Sequence, residues 1–106
     1  GDYLIPNLEA PESPKVGKYG MLRRSFLRSH KQALYTGMML EDTLNSHLEQ
    51  VDKEANMLLE KLMTQMMQEQ GLTEELKSRN QMLWVQQMNN LRQSAEEVVL
   101  KELIYS

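Results

Sequence analysis

The chain has 106 residues, 41% of them hydrophobic and 25% charged, a balance that fits one soluble domain with a modest core. It contains no Cys, which excludes disulfides, thiolate zinc sites and a Cys nucleophile. No stretch approaches the roughly 18 apolar residues of a membrane span, and there is no secretory signal pattern, so a cytoplasmic, non-membrane protein is expected. The net charge of −3 is unevenly spread: residues 15–40 carry six bases and no acid, whereas residues 41–106 carry twelve acids and six bases. One wholly basic segment inside a mildly acidic chain points to an anionic partner.

Residues 1–19 read as an extended arm. Pro6, Pro11 and Pro14 each disfavour helix in the residue before them, and Tyr3-Leu4-Ile5-Pro6-Asn7-Leu8 is apolar enough to dock on the body. Residues 20–106 then form a single helical domain. A first short helix is predicted over 21–29, with Leu22 and Phe26 sharing its inward face. A second covers 30–40, weakened by Gly37. One continuous helix through 21–40 is the alternative.

From residue 42 the helical signal is strongest. Leu44, Leu48, Val51, Ala55, Leu58 and Leu62 recur at spacings of 3 and 4. Asp42 or Thr43 is placed to cap the start, and Gly71 is a natural left-handed stop. Thr73 caps the next helix, and Glu74 and Glu75 oppose the positive end of its dipole. That helix is predicted to run unbroken over 73–104, burying Trp84, Met88, Leu91, Ala95 and Val98. The short linker requires the two long helices to fold back antiparallel.

The expected fold is therefore all-α: an extended arm, two short helices and a long antiparallel helical hairpin. The apolar residues at the C-terminal end of the first long helix, Met57, Leu58, Leu59, Leu62, Met63, Met66 and Met67, span more than a two-helix seam. That excess width predicts packing as a dimeric bundle.

Nothing in the chain assembles into catalytic or metal-binding chemistry. His30 and His47 are 17 residues apart, with no His-x-x-x-His or Glu-x-x-His pair. The adjacent carboxylates at 41–42, 74–75 and 96–97 point about 100° apart on a helix. Gly17-Lys18-Tyr19-Gly20 has the wrong spacing for a P-loop. No enzyme, cofactor, metal or small-molecule substrate is expected. Two contact surfaces remain. Lys18, Arg23, Arg24, Arg28 and Lys31 form a candidate nucleic-acid-binding segment, with Arg24, Arg28 and Lys31 along one helical face. Met57, Met63, Met66 and Met67 form a candidate groove for a partner helix, which is the adaptor alternative.

Several blocks, in order along the chain, resemble the transposon-encoded protein TnpV family. They are Gly1-Asp-Tyr-Leu-Ile-Pro6-Asn-Leu8, Gly17-Lys-Tyr-Gly20, Ala33-Leu-Tyr-Thr36, Thr73-Glu-Glu-Leu76, Gln81-Met-Leu-Trp84-Val, Met88-Asn and the run from Ala95 to Tyr105. Family members often carry residues ahead of the first block, so Gly1 is expected to be a truncated start. Many relatives carry a Ser-Gly type break near residues 40–42; this chain has Glu41-Asp42, which weakens the case for a sharp turn there. The resemblance implies a bacterial mobile-element accessory protein, associated with excision or its regulation. It implies DNA and a transposition-machinery protein as partners, and no catalytic motif.

Overall fold

The computed structural model describes residues 16–106, so most of the expected N-terminal arm, including Tyr3–Leu8, lies outside the described residues. The regular structure is all-helical: α1 Lys18–His30, α2 Gln32–Leu40, α3 Leu44–Gln70, α4 Glu74–Arg79 and α5 Gln81–Val99, ending in a π turn at Leu100–Ile104. No strand occurs among the described residues.

α1 starts earlier than its apolar pattern suggests. The Met21 N–H donates to Gly17 O at 3.0 Å. The orphan N–H of Gly20 donates to Asp52 Oδ1 on α3 at 3.1 Å. A first-turn amide needs an acceptor from outside the helix, and here a distant carboxylate supplies it. α1 ends at Lys31, whose N–H bonds Leu27 O at 2.9 Å. The break between the two short helices thus falls within the expected stretch.

The α2–α3 connection is a sharp turn after all. Asp42 adopts φ +60°, the left-handed region that Asp and Asn tolerate better than most L-residues. The turn closes with the Thr43 N–H on Met38 O at 2.9 Å. The expected side-chain cap of α3 is absent, because the Thr43 hydroxyl turns back to Met38 O at 3.4 Å.

α3 stops at Gly71, φ +68°. The Leu72 N–H bonds Met67 O at 2.9 Å, satisfying a terminal carbonyl in the way glycine-terminated helices do. Thr73 caps α4 by accepting the Leu76 N–H at 3.3 Å. The last helix is not continuous as expected. It breaks at Asn80, φ −147° and ψ 82°, whose Oδ1 accepts the Leu83 N–H at 3.2 Å and starts α5 afresh. A short amide side chain can satisfy a helix N-terminus better than it can sit inside a helix. α4 packs only on α5 among the elements. Lys77 lies over the Trp84 ring, 4.8 Å from its centre.

Two apolar clusters hold the helices. Leu27 of α1 packs with Leu44 and Leu48 of α3, covered by Tyr35 and Met38 of α2. Tyr19 packs with Val51, Ala55, Val99 and Ile104. The N-terminal half of α3 therefore meets the C-terminal end of α5. The inward residues of α5 are Leu91, Ala95 and Val99, followed by Ile104 of the π turn, not the expected Val98. Steps of four drift around a 3.6-residue helix. The π turn, closed by the Tyr105 N–H on Leu100 O at 2.8 Å, inserts the extra residue that returns Ile104 to the core side.

Candidate nucleic-acid interface

α1 carries every residue of the basic candidate set except Lys31, its C-cap. What fixes its rotation therefore decides which cations face out. Two glycines bring its N-terminus close to α3. A Cβ on Gly20 would lie 3.0 Å from the Leu48 carbonyl oxygen and 2.2 Å from Val16 Cγ1; one on Gly17 would lie 3.1 Å from the Asp52 carboxylate. Tyr19 is buried, and its hydroxyl donates to Glu96 Oε2 at 2.9 Å. Burial and the adjacent carboxylate push the phenol up to about 12. Lys18 reaches the same Glu96 oxygen at 2.7 Å. These two donors hold the Glu96 carboxyl below the usual range. Gly17-Lys18-Tyr19-Gly20 is thus a junction tying α1 to both α3 and α5.

Tyr19, Arg23 and Leu27, each four residues apart, form the inward stripe of α1. The expected inward pair, Leu22 and Phe26, flanks that stripe and is only half-buried. Arg23 is 8% exposed. Its Nη1 donates to Ile104 O at 2.9 Å and Ser106 O at 3.1 Å, and its Nε donates to His47 Nε2 at 3.3 Å. Burial lowers the guanidinium's pKa. In this position Arg23 joins α1 to the π turn and to α3 instead of facing solvent with its neighbours.

Arg24, Arg28 and Lys31 remain on the outward side. Arg28 and Lys31 are exposed, and Arg24 is half-buried, lining a cleft with Met21, Tyr35, Met39 and Asp42. Steps of four and three keep the trio within an arc of about 60°. Among the described residues no ion pair engages any of the three. Lys18 sits at the other end of α1, held to Glu96.

The three-residue α2–α3 connection has the length of a helix-turn-helix. However, the first turns of α3 carry Glu49, Asp52 and Glu54 against one base, Lys53. An acidic helix repels phosphate, so the cations of α1 make the better anionic contact.

His47 gives a measurable consequence of the Arg23 contact. To accept the Arg23 Nε–H its Nε2 must be unprotonated. Burial and then the guanidinium's charge lower its pKa below the ordinary value. A His depressed by folding binds its proton more readily when unfolded. Its contribution to stability is complete above about pH 6.5 and is lost as pH falls toward the folded value. The expected result is a denaturant midpoint that declines with acid below about pH 6.5, before the carboxylates titrate, with the decline flattened in His47→Gln. An identical slope in both proteins would remove His47 as the cause.

The candidate methionine groove is split. Met57 is 63% exposed, whereas Met63, Met66 and Met67 are half-buried along α3. A second apolar surface was not anticipated: Met82, 84% exposed, with Leu83 and Val85 at the start of α5. Its signal was present in the sequence as the charge-free run 80–91. Among the described residues no cluster of His, Asp and Glu is arranged to hold a metal ion. No helix there is long and apolar enough to cross a membrane.

The family model for transposon-encoded protein TnpV matches residues 1–104. Neither a curated protein nor a solved structure matches the chain.

Proposed function

The chain belongs to the TnpV family of transposon-encoded proteins, and from that premise we propose that it is a non-enzymatic accessory protein that contacts DNA through the outer face of α1. The observation that carries this reading is the trio Arg24, Arg28 and Lys31. Their charges lie on one side of a helix whose other side is fixed by the core, with no described acid bridging them. An Arg–Arg–Lys face of this kind suits the phosphate backbone, which binds cations without regard to sequence. Lys18 is the weaker contributor because Glu96 already holds it. Arg23 contributes by fixing the rotation of α1. Assistance or regulation of excision in a bacterial cytoplasm is the role this implies.

The test is binding to labelled duplex DNA by fluorescence anisotropy across a salt series. Three phosphate contacts predict that log K falls against log salt with a slope of about −2.7. Arg28→Ala should reduce the steepness by about one unit. No binding at low salt by the folded protein would end the DNA reading. The methionines of α3, exposed Met57 with half-buried Met63, Met66 and Met67, would then favour the adaptor reading, in which a transposition-machinery protein is the partner.

A further inference from the structure

We propose that the first two turns of α5 form a self-association face, and that a second copy of this chain covers it. This inference is independent of the DNA reading. The face is lined by Met82, Leu83 and Val85 with the amides Gln81, Gln86 and Asn89. It is the outer side of α5: Trp84, Gln87 and Met88, between these positions, are the half-buried ones.

Three observations select a second copy as the occupant. The first is charge. The chain has 12 bases and 15 acids, yet residues 80–91 carry none. In a two-fold contact residue i meets residue j, and the residues at the axis meet their own kind, so an uncharged face brings no like charges together there. A charge-free face suits self-contact, and it offers no ion pair to an acidic or basic partner. The break at Asn80 leaves the charged α4 outside the α5 helix.

The second observation is hydrogen bonding. Gln81, Gln86 and Asn89 each carry both donors and an acceptor, so identical amides satisfy one another across a two-fold axis. Met82, Val85 and Asn89 follow steps of three and four, the spacing of a helix-pairing seam with one polar position.

The third is shape. The molecule measures 53 × 41 × 18 Å, with a radius of gyration of 18.5 Å. A compact chain of about 90 residues has a radius near 12 Å. The thinnest dimension corresponds to two helix layers, whose axes pack about 8–10 Å apart. α1 and α2 thicken the end of α3 that holds Leu44 and Leu48. α1 reaches α5 only near its C-terminal end, through Lys18 and Tyr19 on Glu96, α2 does not pack on it, and the side that carries Met82 and Val85 is left exposed. A second copy laid on this face adds a covering layer.

Sedimentation velocity on the full chain over a concentration series tests this. The intact protein is expected to sediment as a concentration-dependent dimer, and Val85→Glu as a monomer with unchanged helicity. Met57→Glu, on the exposed side of α3, should remain dimeric. The chain has no Cys, so Val85→Cys and Asn89→Cys also report directly. At least one should form an intermolecular disulfide under mild oxidation, while Met57→Cys should not. A monomer at every concentration, or a dimer that Met57→Glu disperses and Val85→Glu leaves intact, would overturn the proposal.

Discussion

Arg23→Ala is expected to lower folding stability by about 2–3 kcal/mol, the largest loss of any single cation among the described residues. The side chain is a buried charge whose hydrogen-bond partners are two backbone oxygens at the C-terminal end and one imidazole. Truncation leaves the Ile104 carbonyl without that donor, inside the cluster where Ile104 is fully buried. It also removes an aliphatic stem that lies between Tyr19 and Leu27. Arg23→Lys should recover only part of the loss, because an ammonium lacks the guanidinium's planar set of donors. Arg28→Ala, on the exposed side of the same helix, should change stability by less than about 0.5 kcal/mol. Urea denaturation of the three variants checks this. Equal midpoints for Arg23→Ala and Arg28→Ala would show that Arg23 does not hold the π turn to α1.

Gly20→Ala is expected to destabilise by about 1–3 kcal/mol, and the sign is the informative part. Two effects oppose each other. Alanine is the better helix former by about 1 kcal/mol. Its Cβ, however, would approach Val16 Cγ1 to 2.2 Å and the Leu48 carbonyl oxygen to 3.0 Å. Val16 can swing aside, but the Leu48 oxygen belongs to the α3 backbone. Relief therefore requires α1 to move off α3, which also stretches the Gly20–Asp52 bond. Gly37 provides the control, since a Cβ there meets nothing within 4 Å. Gly37→Ala should stabilise by about 0.4–1 kcal/mol. Thermal melts of both variants read the difference, and a rise in midpoint for Gly20→Ala would contradict the close crossing.

Local rules made much of this architecture legible. The stripe from Leu44 to Ala55 is buried as its spacing implies. Gly71 and Thr73 end one helix and start the next through backbone chemistry that needs no knowledge of the rest of the chain. What depends on tertiary contact was not legible. Asn80 is tolerable inside a helix and effective at its start, and only packing decides between the two. The shift from Val98 to Val99 follows from the π turn, which periodicity alone does not announce. Asp42 shows the reverse: a residue less suited than glycine to a left-handed turn still adopts one, because the helices on either side pack together.

The candidate site was divided in the same way. The acid-free run from Ser13 to Leu40 located the cations but did not separate Arg23 from Arg24. Adjacent positions on a helix differ by about 100°, and rotation is set by the inward stripe of Tyr19 and Leu27. Their spacing of four on either side of Arg23 was the available clue. An arginine between an aromatic and a leucine reads as surface charge until carbonyl acceptors are seen at the far end of the chain.

In the function proposed above, one side of α1 holds the fold and the other meets DNA. The most direct measurement is anisotropy binding to duplex DNA by Arg28→Glu/Lys31→Glu, beside the intact protein, with stability measured on both. The expected result is loss of binding with a denaturation midpoint close to that of the intact chain. Undiminished affinity in the folded double variant would contradict DNA contact through α1, because its outward face would then carry no contact to the nucleic acid.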